Sequence, residues 1–258
     1  MRSAALALLI ASFGHFGSLG LFGSSGPQDK ATLGAPFADG ESFTVDLTVK
    51  TRALEKDKVV FELEHGASLA WKAAAGGKLQ ASFRNFSLVG NGGEKKIDVR
   101  WDNTKKLEAV DWTGAETLRD LVKAGLTLSE DGAGNVSKCS DESERYLVML
   151  IEPLLVGSAA WLPAAAREVG ATWEKVVSSE EADVTYSSVY EKNDAGSAVV
   201  VSKISIKDRK NKDAGPGEGR GMTRVDPKTG RPLSATLSLT MEGAAQAVKI
   251  EATTKVVR

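Results

Sequence analysis

Apolar and polar residues alternate with a period of two along several stretches of this chain, and no other feature constrains its fold as strongly. The first such stretch spans 42–49 and places apolar side chains at every second position, namely Phe43, Val45, Leu47 and Val49. Successive side chains of a β-strand point to opposite faces, so this pattern predicts a strand with one buried face. The same alternation recurs in 232–242 and in 245–257.

Shorter alternating or apolar runs predict further strands between these. They lie at 57–64, 67–74, 78–90, 97–101, 126–129, 181–192, 197–207 and 219–226. Within 78–90 the apolar phase shifts after Phe83, which predicts a β-bulge near Asn85. The segment from Asp226 to Gly230 predicts a hairpin turn in which Gly230 has a positive φ.

Two segments change to the spacing of a helix. Thr113 and Glu116 resemble a capping box, and apolar residues follow at helical spacing until Gly125, which suits a helix end. A second helix is predicted to start at Ser140 or Asp141 and to kink at Pro153. Together the patterns predict an α+β, mainly β fold: a strongly curved antiparallel sheet, a half-barrel or roll, with two helices packed on its concave face.

The N-terminus predicts export. Arg2 precedes an apolar run, and small residues follow up to Ser25, an order typical of a secretory signal peptide. An uncleaved membrane anchor is the alternative, since the apolar run approaches the roughly 20 residues that span a bilayer. We therefore predict a signal peptide over 1–25 and a periplasmic or secreted protein of bacterial type.

Composition predicts how the rest of the chain is organised. Residues 26–41 are rich in glycine, proline and small polar types and are predicted to form a linker. Residues 42–258 are predicted to form a single β-rich domain. Two strand-rich halves, 42–136 and 172–257, would be joined in it by a helical middle at 140–170.

The inventory of reactive side chains is too small for familiar catalytic sites. With the signal removed, the chain keeps one histidine, His65, and one cysteine, Cys139. Neither a common zinc site nor a Cys–His pair is expected from so few ligands, and His65 is predicted to lie in a turn. We predict no catalytic, cofactor-binding or metal-binding residues and no cofactor.

Other candidate motifs also favour ordinary structural roles. The glycine-rich run 215–221 lacks the Lys-Ser/Thr of a phosphate-binding loop, and Asp131 to Asn135 is a turn without the ligands of a calcium loop. Trp71 and Trp101 continue the apolar faces of their strands and are expected in the core. The formal net charge is −1, which gives no field to attract nucleic acid.

One segment resembles a group of uncharacterised exported bacterial proteins. The resemblance lies first in Pro163 and in Val169-Gly170-Ala171-Thr172-Trp173. It also includes a strand and turn like 126–129 with Gly134, and the late Asp-x-x-Thr-Gly hairpin at 226–230. It covers about 95–242 and implies export and a β-rich fold. The group has no assigned activity, so the resemblance implies no functional residue.

Three functions remain open from the sequence. The first is an exported non-enzymatic protein that binds an apolar ligand or lipid in a cavity between sheet and helices. The second is a structural or assembly module of the envelope that engages protein partners. The third is a hydrolase that uses carboxylates alone, such as Glu180, Glu181 and Asp183. Adjacent strand residues point to opposite faces, so Glu180 and Glu181 are poor partners and solvated charge at a strand edge is the default interpretation.

Overall fold

The structure is a computed structural model, and it shows a protein built almost entirely from antiparallel β-strands. The residues it describes are 30–92, 95–112, 116–130, 136–139, 160–178, 182–209, 217–242 and 246–257. In the first half the strands are β1 (Lys30–Ala31), β2 (Ser42–Glu55), β3 (Lys58–Ala74), β4 (Lys78–Gly92), β5 (Lys95–Asp102), β6 (Leu126–Glu130) and β7 (Val136–Cys139). In the second half they are β8 (Arg167–Glu168), β9 (Thr172–Ser178), β10 (Ala182–Asp194), β11 (Ser197–Asp208), β12 (Gly217–Asp226), β13 (Arg231–Glu242) and β14 (Ala247–Val257).

Helical structure is sparse in the described part of the chain. A single turn of 3-10 helix spans Leu107–Ala109, and one α-helix, α1, spans Glu116–Ala124. Gly125 follows α1 with a φ of 76°, and its N–H donates to the carbonyl of Leu121 at 2.8 Å. This confirms the predicted helix end, because a left-handed residue that closes the last turn is the common stop signal.

Twelve strands form one large sheet whose order is β7-β6-β4-β3-β2-β14-β13-β12-β11-β10-β9, with β5 also paired to β4. All neighbouring strands pair antiparallel, and most pairs are hairpins of consecutive strands. Two pairings join strands that do not follow each other in the chain. β4 pairs with β6, and β2 pairs with β14 from Thr44 opposite Val257 to Leu54 opposite Ala247, which joins the two halves of the chain. A separate two-stranded sheet pairs β1 with β8.

The predicted fold class is therefore wrong in two respects. The sheet is open, since no pairing between described residues joins its terminal strands β7 and β9, and it is not a half-barrel or roll. The described residues also contain one α-helix where two were predicted to cover a concave face. The physical reason is the β2–β14 pairing, which joins the two halves edge to edge so that they widen one sheet.

Several local predictions can be compared with individual elements. The bulge near Asn85 is confirmed, because the register between β3 and β4 shifts between Ser68 and Leu69 and leaves Arg84 without a partner residue. The strands predicted at 57–64 and 67–74 are one continuous strand, β3. The second predicted helix lies mostly outside the described residues, but 160–170 is not helical and contains β8.

The segment 30–41, which composition predicted to be a linker, packs against the sheet. Leu33 and Phe37 are buried, and Phe37 stacks on Phe43 of β2 with ring centroids 4.6 Å apart. The guanidinium of Arg231 holds the segment: it donates to the carbonyl oxygens of Ala35 (2.6 Å) and Pro36 and to Glu41 Oε2 (2.6 Å). Residues 30–41 thus contribute to the core.

We expect Gly125→Ala to lower the free energy of unfolding by about 1–3 kcal/mol, through a left-handed backbone combined with a steric clash. A Cβ at this position would lie 2.5 Å from the carbonyl oxygen of Ala81 in β4. Gly196→Ala is the matched control, since Gly196 also has a positive φ but nothing within 4 Å of the added carbon. Urea denaturation should show the larger loss for Gly125→Ala, and equal losses would contradict a clash with β4.

Candidate functional site: the apolar face of the sheet

One face of the large sheet carries apolar side chains across most of its width, and we call it the apolar face. The strand registers align these side chains in rows that cross the sheet. One such row runs through Trp101, Phe86, Ala67, Leu47, Thr254 and Ala235. The alternation that predicted the strands produces this surface, because every second residue of each strand faces the same way.

The end of the apolar face nearest the β2–β3 hairpin is the less covered one, and we call it the open end. A row of aligned side chains there is half-buried: Phe61, Ala53, Val248, Met241, Ile206, Val184 and Val177. In this row β12 contributes Gly217, over which Ile206 and Met241 lie. Strands are about 4.8 Å apart, so the row extends about 34 Å across the seven spacings from β3 to β9.

The opposite end of the apolar face is covered by irregular segments. Phe37 stacks on Phe43, and Trp112, which follows the 3-10 turn, stacks on Phe86 of β4 with centroids 5.9 Å apart. On the β9 side, Trp161 packs against Tyr186 at 6.3 Å. Side chains there are fully buried, as Val45 (0% exposed) shows. The apolar face therefore changes from a closed core to a half-buried surface along the strands.

Two polar side chains interrupt the apolar face next to the open end. Thr51 of β2 lies between Leu63 of β3 and Ile250 of β14, and His65 is two residues beyond Leu63 on the same face. Thr51 and His65 are therefore diagonal neighbours, with Cα atoms about 7–8 Å apart. The cross-strand neighbours of His65, Val49 and Leu88, are both apolar and buried.

Neither of these polar groups has a hydrogen-bond partner among the described residues. The hydroxyl of Thr51 is shielded from water and unpaired. Burial lowers the pKa of His65 from 6.5 to about 4, so its imidazole is neutral at pH 7. A neutral imidazole has one donor and one acceptor, and a hydroxyl has both functions, so this spot can bind a polar group of a ligand.

The other face of the sheet is polar and largely neutralises its own charge. Arg52 donates to Glu62 at 2.7 Å and to Glu251 at 3.1 Å, while Lys50 pairs with Glu62 at 3.1 Å. The hydrogen bond from Arg52 is the main cause that holds the pKa of Glu62 below its usual value. A shallow groove of about 550 Å³ crosses this face, lined in part by Thr48, Arg220 and Glu251. These exposed pairs form a solvated surface.

The described residues among those considered for chemistry from the sequence lie in separate places. The prediction that His65 lies in a turn is wrong, because it lies inside β3. Asp183 pairs with Arg209 at 2.8 Å and accepts a hydrogen bond from Ser178, while Glu180 and Glu181 lie outside the described residues. Cys139 ends β7 at one edge of the sheet. The predicted core positions of Trp71 and Trp101 are confirmed, with 1% and 9% exposure.

Sequence reasoning missed Thr51 because threonine is an ordinary strand residue. The signal was present, since the alternation of 43–49 extends to residues 51 and 53 and assigns Thr51 to the apolar side. Within the described ranges there is no group of three or more His, Cys, Asp or Glu residues that could hold a metal ion. No helix in that same part of the chain has the length and apolar character to cross a bilayer.

Comparison with known proteins gives a structural similarity without a sequence family. No family model matches the chain, and no curated protein matches it in sequence. Among solved structures, the one described as "Lipid-protein interactions in lipovitellin" is similar with a TM-score of 0.53 and 10% sequence identity. The match covers 86% of this chain but 25% of the lipovitellin chain, so this chain spans about a quarter of that protein's length. At this identity the similarity shows the fold: this chain is similar to lipovitellin in its mainly β architecture.

Proposed function

We propose that this protein is an exported, non-enzymatic protein that binds an apolar ligand, specifically a lipid, on the open end of the apolar face. The observation that carries the proposal is the half-buried row from Phe61 to Val177, which continues the protein core onto a surface. Contiguous apolar surface of this kind usually marks a binding site, since each Å² removed from water contributes about 25 cal/mol.

Two further observations support it. The row runs across the strands and is long and narrow, which suits an extended hydrocarbon chain better than a compact ring system. The solved structure with a similar fold is described by its lipid–protein interactions, and this gives the proposal a precedent in fold alone. Export follows from the signal-like pattern of residues 1–25, and the absence of enzymatic activity follows from the scarcity of nucleophile–base pairs in the sequence.

The direct test is to purify the protein after expression with its N-terminal segment, extract it with organic solvent and identify bound molecules by mass spectrometry. In parallel, the fluorescent apolar probe N-phenylnaphthylamine is titrated into the delipidated protein. We expect co-purified lipid and saturable binding of the probe. A protein that carries no lipid and leaves the probe fluorescence unchanged would contradict the proposal.

A pair of adjacent substitutions locates the site. Leu239 lies on the apolar face, half-buried in β13, and Ser238 is exposed on the polar face. We expect Leu239→Glu to weaken probe binding by more than tenfold, because a carboxylate in the apolar surface must be desolvated when the ligand binds. Ser238→Glu adds the same charge one residue away and should leave the affinity unchanged. Equal effects of the two variants would place the probe elsewhere, and circular dichroism checks that both variants fold.

A further inference from the structure

The strongest feature that the proposed function does not explain is the pair formed by Thr51 and His65. Sheets of this kind usually place apolar residues or well-paired polar groups on a buried face, because a buried hydroxyl without a hydrogen-bond partner destabilises the fold. The Thr51 hydroxyl is such a group in the structure, since it is shielded and without a partner. Its position beside the open end suggests that a ligand supplies the missing hydrogen bond.

The space around Thr51 is shaped by a neighbouring glycine. Gly90 of β4 lies opposite Leu63, and a Cβ at Gly90 would be 2.8 Å from Leu63 Cδ1. Leu63 therefore extends over β4, away from Thr51 on β2. Because threonine has more than one favourable rotamer, the Thr51 hydroxyl can be reoriented to meet a bound ligand.

The charge of the surroundings selects the kind of polar group. Register places the nearest cations of β2, Lys50 and Arg52, on the polar face, where they pair with Glu62. The apolar neighbours of Thr51 and His65 offer no positive charge, and the imidazole itself is neutral at pH 7. An anionic headgroup would be desolvated here without a counter-ion, which costs far more than desolvating a neutral carbonyl.

We propose that Thr51 and His65 bind the ester group of a neutral lipid ester of a long-chain acid, whose hydrocarbon chain lies along the open end. This inference rests on the proposed function and names the chemical class of its ligand. The Thr51 hydroxyl donates to the carbonyl oxygen, and the N–H of the His65 imidazole donates to the second oxygen of the ester. The separation of about 7–8 Å between the two Cα atoms suits one ester group placed between the side chains.

The test compares three ligands of similar chain length by displacement of N-phenylnaphthylamine: methyl decanoate, undecane and decanoate. With the unmodified protein we expect methyl decanoate to displace the probe at a lower concentration than undecane or decanoate at pH 7. Tighter binding of decanoate would show that the site accepts an anion and would overturn the assignment to a neutral ester. If none of the three ligands displaces the probe, the proposed function fails as well.

Substitutions separate the ester contact from general apolar binding. Thr51→Val keeps the shape and removes the hydroxyl, so we expect methyl decanoate to bind about five- to tenfold more weakly while undecane is unaffected. Thr48→Val, on the exposed polar face of the same strand, is the matched control and should leave the affinities for methyl decanoate and undecane unchanged. His65→Phe should also weaken the ester selectively, and His65→Gln, which keeps a donor, should restore much of the loss.

Two outcomes overturn the inference while leaving the proposed function intact. If Thr51→Val changes the affinities for methyl decanoate and undecane by the same factor, the hydroxyl affects apolar binding in general and makes no contact with the ester. If His65→Phe binds the ester as tightly as the unmodified protein, the imidazole is not part of the site. Thermal unfolding followed by circular dichroism shows whether each variant is folded under the conditions of the titration.

Discussion

Arg231→Met is expected to lower the free energy of unfolding by about 3–5 kcal/mol, the range found when one partner of a buried ion pair is removed. The Arg231 side chain is 10% exposed and donates to Glu41 at 2.6 Å. It also donates to the carbonyl oxygens of Ala35 and Pro36, and its guanidinium lies 4.5 Å from the ring centroid of Phe37. Methionine keeps the apolar stem of the side chain but none of these interactions.

The loss should exceed that of an ordinary ion pair because Glu41 loses its positively charged partner and keeps the N–H of Ala38, while the carbonyl oxygens of Ala35 and Pro36 lose the Arg231 donor. Arg100→Met is the matched control: Arg100 pairs with Asp98 at 2.8 Å, but the side chains are 67% and 43% exposed. Exposed pairs contribute little, so this variant should unfold at nearly the same urea concentration as the unmodified protein. In Arg231→Met, the further change Glu41→Gln should recover part of the stability by removing the unpaired charge.

The consequence extends to the apolar face, because Arg231 holds residues 30–41, which cover the end of that face opposite the open end. Phe37 reaches Phe43 and, through it, Trp71, whose ring is 6.3 Å from that of Phe43. Loss of the Arg231 contacts should therefore expose aromatic surface and shift tryptophan fluorescence to longer wavelength before global unfolding. Unchanged stability of Arg231→Met would show that packing of Phe37 alone retains the segment.

Local features of the fold could be predicted from the sequence because they depend on neighbouring residues. The period of two fixes which residues of β2 and β13 share a face, and Gly125 and Gly230 mark a helix end and a turn, both with positive φ. One local prediction failed at Gly66, where β3 was divided in two. A Cβ at Gly66 would lie 2.6 Å from Ser87 Oγ, so this glycine permits close approach of two strands and does not end one.

The arrangement of the strands could not be predicted in the same way. Whether the two halves face each other or lie side by side depends on the pairing of β2 with β14, which lie near opposite ends of the described chain. Alternation shows that each strand has an apolar side but does not determine which strand it pairs with. The prediction of a rolled sheet with two covering helices assumed that helices bury the apolar side of the strands. In the described residues, irregular segments such as 30–41 cover much of that side.

The candidate site shows the same division between local and non-local information. Counting by twos from Leu63 assigns His65 to the apolar side, and counting from Val49 does the same for Thr51. That the two side chains are neighbours follows only from the register of β2 with β3. The absence of catalytic residues remains a prediction from composition, and the proposed site depends on geometry that composition does not contain.

The stability of the protein should fall by up to about 3 kcal/mol between pH 7 and pH 4 because of His65 alone. Burial lowers the pKa of this imidazole from 6.5 to about 4. Between these values the unfolded state binds a proton that the folded state excludes, so the free energy of unfolding decreases as the pH falls. The figure is an upper bound, since the side chain is half-buried and partly solvated.

The measurement is the free energy of unfolding of the unmodified protein and of His65→Leu, from urea titrations at several values between pH 4 and pH 7. The partners of Glu62 and Asp183 lower the pKa values of these carboxylates, so their contribution to the free energy of unfolding is lost mainly below pH 4. This contribution is the same in both proteins. The difference between the two curves therefore isolates His65, and it should grow toward acid pH. Parallel curves would mean that the imidazole is protonated in the folded state as readily as in water, which is incompatible with a neutral ring on the apolar face.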